Sequence, residues 1–216
     1  MEQAENPSRE RILERIRKAL RKPAPRHDAT AGRQIFAPVT NALERFQKEC
    51  EANKTECLVT SDVAASATAI ANVLASLPAG EIFAQDAPEL RCMALAWKDG
   101  RSIRWSSDGA PSEASQATIT LAEALVAETG SVLVSSACGG RGASVVAPAH
   151  IVLTRLEQLV PSLEAAFAHV RERGILAKNS YLCLITGSSR TADIEKILVL
   201  GAHGPRRLIV VLEMGH

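Results

Sequence analysis

Apolar positions along the chain fall into two rhythms. Near the start, Ile12, Ile16 and Leu20 recur every four residues, joined by Leu13 and Ala19. That spacing predicts an amphipathic helix over 8–22, with Ser8 as its N-cap. Residues 23–38 break the pattern with Pro23, Pro25, Gly32 and Pro38, which is linker chemistry. A second helix fits 39–52, with Val39, Leu43 and Phe46 on one face. Short apolar runs then take over, and those at 57–60, 81–84, 102–105, 116–120, 131–135, 150–154, 181–186 and 208–213 read as strands. Between them, helices are predicted after a cap at Ser61 or Asp62, over 121–126 behind a Thr120–Glu123 capping box, over 161–173 up to Gly174, and from about 191 to 199.

Strands alternating with helices predict an α/β fold, three layers (α/β/α) around a mainly parallel sheet. This body takes residues 38–216, preceded by a helical arm and linker over 1–37. The close succession of strands over 129–154 predicts a β-hairpin or antiparallel excursion there.

Composition narrows the function classes. With 216 residues, 46% of them hydrophobic, the chain can fill the core of one such domain. Only 3% is aromatic and the net charge is +1, which argues against a nucleic-acid partner. The five cysteines stand singly, with no C-x-x-C spacing, so no metal or iron–sulfur site is expected on this chain alone. Their odd number, with no signal-peptide pattern, points to a reducing cytoplasm. No apolar run approaches the ~20 residues of a membrane span. The first helix is basic on its polar face (Arg9, Arg11, Arg15, Arg17, Lys18, Arg21, Lys22), which suits either a solvated arm or docking to an acidic partner or membrane surface.

Candidate chemistry concentrates late in the chain. Thr186, Gly187, Ser188, Ser189, Arg190 and Thr191 follow an apolar strand, with Asp193 and Glu195 just beyond. Open α/β proteins place their sites at the carboxyl ends of parallel strands. Free N–H groups at a helix start, the two serine hydroxyls and Arg190 would suit a phosphate or carboxylate. Alternatively, Ser189 or Thr191 caps the helix and Asp193 steadies its first turn. The spacing is not that of a P-loop. His203, Gly204 and Arg206 form a Gly-Pro-constrained turn before the last strand, where His203 could move a proton, bind an anion or tie down a carbonyl. Glu128, ahead of Thr129 and Gly130, is a candidate base or nucleophile, or else a surface carboxylate. His150 places an imidazole at the head of a strand, for proton chemistry or for structure.

Four of these pieces stand in a fixed order: AETGS at 127–131, PAHIVL at 148–153, TGSSRTADIE at 186–195 and GAHGPR at 201–206, with Gln158-Leu159-Val160-Pro161 between them. The ordered set resembles the LUD-domain family, in its lactate-utilization protein C branch, and SRERILERIRKAL at 8–20 is similar to that branch's N-terminal helix. The resemblance implies a NagB/RpiA/CoA-transferase-like fold. It also implies a subunit of a bacterial system that oxidises L-lactate to pyruvate, with iron–sulfur clusters carried by partner subunits. It makes the matching residues candidates for holding a small carboxylate or phosphate, with Glu128, His150 and His203 as candidates for proton chemistry. Two alternatives stay open. One is a stand-alone CoA-transferase-like or thioester-hydrolysing enzyme using Glu128; the other is a non-catalytic scaffold or regulatory subunit.

Overall fold

The computed structural model describes residues 7–21, 38–97, 100–192, 198–201 and 203–215. The chain divides into two compact units, Met1–Ala37 and Pro38–His216. The first holds helix α1 (Pro7–Leu20). Proline at its first position needs no N–H partner. Ser8 therefore lies inside the helix and is not its cap. Arg17 and Lys18 in the last turn suit the negative end of the helix dipole.

The second unit opens with α2 (Ala42–Ala52), capped by the Asn41 side chain, which accepts from Glu44 N–H at 3.2 Å. Strand β1 (Thr55–Thr60) leads to α3 (Val63–Ala75), capped by Asp62 accepting from Ala65 N–H at 2.8 Å. Next come β2 (Glu81–Ala84), α4 (Pro88–Met93), β3 (Ile103–Trp105) and β4 (Ser115–Leu121). Strands β5 (Ala124–Val126), β6 (Ser131–Ser135), β7 (Ala149–Arg155) and β8 (Leu159–Val160) precede α5 (Leu163–Glu172) and α6 (Ile175–Lys178). The unit ends with β9 (Leu182–Ile185), β10 (Arg190–Ala192), β11 (Leu198–Leu200) and β12 (Arg207–Glu213).

Six strands form one parallel sheet in the order β1-β12-β7-β4-β2-β3. Alternation along each strand separates its two faces. Ile119, Ile151 and Ile209 pack with Ile70, Leu74, Met93 and Trp97 from the α3 and α4 side. Val152, Leu208, Val210 and Leu212 face the other way, onto Phe46 and Cys50 of α2 and onto Leu125, Val132 and Val134. Those last three belong to a second sheet, β8-β5-β6-β9, which is antiparallel except for β5–β8. Its outer face carries Ala124, Val126 and Leu133, covered by Ala166 and Val170 of α5. The α/β architecture with a mainly parallel sheet is as expected, and the small sheet adds a layer over one face. An antiparallel excursion was expected within 129–154; β6 of that stretch is antiparallel, but its partners β5 and β9 lie outside it, and β7 joins the parallel sheet.

Two predicted helices are strands. Over 121–126, the supposed capping pair is engaged elsewhere: Thr120 Oγ1 bonds His150 Nε2 at 2.8 Å, and Glu123 accepts from Ser135 Oγ. The backbone pairs instead with β6 and β8. Over 191–199, Arg190–Ala192 pairs antiparallel with Leu198–Leu200. Ser189 continues that pairing, since its carbonyl accepts from Gly201 N–H at 2.9 Å and its N–H donates to Pro205 at 2.8 Å. In both places strand pairing overrides a local helix pattern. Asp193 and Glu195 lie outside the described residues.

Candidate functional site

Two of the motif turns, at Thr129–Gly130 and at Gly187–Arg190, converge on one object, the carboxyl end of α2. The tightest approaches involve two glycines. Gly187 has φ +79°, and a Cβ there would lie 2.5 Å from the Asn53 carbonyl oxygen. Gly130 has φ +62°, and a Cβ there would lie 2.8 Å from the Glu49 backbone. Both positions demand glycine for conformation and for space. Arg190 donates to the carbonyl of Asn53, the C-cap of α2, placing a cation at the negative end of that helix. The Asn53 side chain in turn donates to the Thr129 carbonyl at 2.9 Å. A chain of hydroxyls, Thr129 to Ser131 at 2.7 Å and Ser131 to Thr186 at 2.6 Å, ties the hairpin to the end of β9. Lys54, next to Asn53, holds φ +60°, unusual for a side-chain-bearing residue.

Beside this joint lies an open cleft of about 530 Å³. Ser188, Ser189, Arg190, His203 and Ser144 line it, and no carboxylate does so among the described residues. Ser188 is buried and Arg190 exposed. Gly204 allows close approach of its turn to Ser189, where a Cβ would meet the serine Cβ at 3.2 Å. Arg206 and His203 border a neighbouring depression, and Arg206 N–H donates to Pro148 at 2.8 Å. Burial pushes up the pKa of the Cys183 thiol in the cleft wall, which keeps it protonated and a poor nucleophile.

The cleft does not sit where strand order suggested. Strand β9 belongs to the small sheet, so the turn after it does not follow a parallel strand. Asn53 precedes β1 and Pro205 precedes β12, which places the cleft at the amino end of the parallel sheet. No described helix begins at Thr191, so the cleft gains no helix N-terminus there; its donors are Arg190, His203 and the hydroxyls.

Two candidates lie apart from it. Glu128 Oε1 accepts from Leu163 N–H at 2.8 Å, capping the first turn of α5. Its own N–H donates to Pro161, and its carbonyl accepts from Arg45. His150 is fully buried within the parallel sheet, next to Thr118 of β4 and Leu208 of β12. Its Nε2 bonds Thr120, and its Nδ1 has no partner. Burial alone lowers its pKa from 6.5 to about 4, so the ring is neutral at physiological pH.

The carboxyl end of the same sheet holds a cavity of about 430 Å³ that sequence reasoning missed. Its polar wall comes from the last residues of strands: Gln85 after β2, Glu123 after β4, Thr154 and Arg155 of β7, and Glu213 of β12. Arg155 faces Glu213 at 3.6 Å, and Gln158 bridges Arg155 N–H to the Ala122 carbonyl. The position of these residues at strand ends was the available signal.

A parallel α/β sheet overlaid by a small antiparallel sheet, with polar concavities at both ends, defines an α/β domain. The LUD-domain model matches residues 43–212, and the chain belongs to that family. It is 29% identical over 189 residues to "Lactate utilization protein C" of Geobacillus sp. (strain WCH70), covering 79% of this chain and 77% of that protein. Proteins of the same description from Deinococcus radiodurans (34% over 102 residues) and Bacillus subtilis (31% over 126 residues) align over 44% and 50% of this chain and 45% and 52% of their own. A solved DUF162-family protein from Deinococcus radiodurans superposes with a TM-score of 0.60 at 22% identity, covering 79% of this chain and 95% of that one, which shows a shared fold. Among the described residues no helix is long and apolar enough to cross a membrane, and no three His, Cys, Asp or Glu side chains gather so as to hold a metal ion.

Proposed function

We propose that this protein serves lactate utilization, as the subunit that accompanies iron–sulfur partners in oxidising L-lactate to pyruvate. The observation that carries this reading is the similarity to the Geobacillus protein over 77% of that protein's length. The clusters would sit on the partners. The amino-end cleft is the part of this chain that would meet a small carboxylate or phosphate. Its lining offers a guanidinium, an imidazole and hydroxyls, with no described carboxylate to repel an anion. Arg190 would serve both the α2 end and the ligand, since its guanidinium has five N–H donors. The alternative of an acyl-carrying Glu128 has weaker support, because that carboxylate is engaged at the start of α5.

Deleting the gene should abolish growth on L-lactate, and the intact chain should restore it while co-purifying with iron–sulfur proteins. His203→Gln should leave stability unchanged but weaken binding of L-lactate or phosphate about fivefold, as loss of one hydrogen bond to a charged group would. Unimpaired growth of the deletion strain would contradict the pathway. Unchanged anion binding in the variant would contradict the cleft.

A further inference from the structure

The cavity at the carboxyl ends of β2, β4, β7 and β12 differs from the motif cleft in floor and in charge. Leu121, Ala122, Leu153 and Met93 supply apolar surface. Glu89, Glu123, Glu157 and Glu213 contribute four carboxylates against the two guanidinium groups of Arg155 and Arg173. Arg155 already faces Glu213. A small anion entering here meets an excess of like charge. Carboxylates only accept hydrogen bonds, so a ligand that satisfies them must bring donors.

Three polar groups retain capacity. Glu123 uses one oxygen on Ser135 Oγ, at 2.5 Å, and keeps the other. Glu213 is only 6% exposed, accepts from Ser66 Oγ at 3.3 Å and still has lone pairs to offer. Gln85 Oε1 accepts from Leu121 N–H at 2.9 Å, which leaves its Nε2 as a donor. The apolar surface includes the Met93 thioether, a good neighbour for an aromatic ring. At about 430 Å³ the cavity is within the size range of small-molecule sites.

We infer that this cavity is a second binding site, for an uncharged ligand with a flat heterocyclic ring and several hydroxyl or amino donors, the chemistry of a nucleoside. The ring lies against Met93, Leu121 and Leu153. The donors meet Glu123 and Glu213, and Gln85 Nε2 meets a ring acceptor. This site is separate from the anion cleft, and its ligand does not depend on the lactate reading.

Adenosine and cytidine are the probes, titrated calorimetrically into the full chain. At least one should bind saturably with a Kd of about 1 mM or tighter. Glu123→Gln keeps an acceptor for Ser135 while removing the charge, and should weaken binding about fivefold. Glu89→Gln, at an exposed position, should weaken it less, and His203→Gln should leave it unchanged. The exposed Cys92 thiol lines the cavity, so bound nucleoside should slow its alkylation by iodoacetamide without slowing that of Cys57. Absence of saturable binding at about 5 mM would overturn the inference. So would binding that leaves Cys92 unprotected, or adenosine displaced by L-lactate.

Discussion

The two ends of the parallel sheet are built by different means. At the amino end, glycines and short polar links clamp one helix terminus. Gly130 and Gly187 let backbone touch backbone, and Arg190 holds the Asn53 carbonyl. The cleft beside this joint is open and lined by donors. At the carboxyl end, single residues from separate strand ends enclose a cavity rich in acceptors. The contrast separates two things that a motif can mark. The late motifs mark a joint whose geometry admits few residues, and any ligand chemistry there shares side chains with that joint. The carboxyl-end cavity carries chemistry without a motif.

The largest effects should come from breaking the joint. Gly130→Ala or Gly187→Ala forces a Cβ against backbone at positive φ and should cost about 3–4 kcal/mol in urea unfolding. Gly174 also has positive φ (+64°) but has open space around it, so Gly174→Ala should cost only about 1 kcal/mol. Equal losses at the three sites would remove the close approach as the cause.

Next comes His150, buried near the amino end of β7. Its folded pKa of about 4 lies below the ordinary 6.5, so the unfolded chain takes up a proton first as the pH falls. The stability it supports is present above pH 6.5 and declines as the pH drops to 4, by roughly 3 kcal/mol in total. His150→Leu should flatten the stability–pH curve across that window; an unchanged slope would assign it to other groups.

Glu128→Ala removes the cap on Leu163 N–H and should cost about 1 kcal/mol. Glu128→Gln keeps an acceptor oxygen and should cost less. If Glu128→Gln abolishes lactate-dependent growth while the fold keeps its stability, the carboxylate has a chemical role beyond capping α5.

Much of this was legible in the sequence. Strands β2 and β6 appear there with their observed bounds, because short apolar runs framed by turn residues have few readings. A cap at Ser61 or Asp62 was readable for the same local reason, and Asp62 supplies it. Local pattern failed where strand pairing decided the outcome. Thr120 and Glu123 have the spacing of a capping box, yet His150 and Ser135 claim them. Leu198–Leu200 fits a helix until Arg190–Ala192 lies beside it. For the sites, the motif turns stood out because glycine and proline punctuate them. Which end of the sheet they occupy depended on β9 joining the small sheet, and no local signal encodes that. Gln85, Glu123, Arg155 and Glu213 were invisible as a group, since only the strand order β12-β7-β4-β2 brings them together.

The proposed division of the molecule into an anion-reading amino end and a donor-reading carboxyl end is tested in one experiment: backbone amide NMR shifts of the full chain, titrated separately with L-lactate and with adenosine. L-lactate should move Ser188, Ser189, Arg190 and His203, adenosine should move Gln85, Glu123 and Arg155, and the two sets should not overlap. Both ligands moving the same residues, or L-lactate moving the carboxyl-end set, would contradict the account.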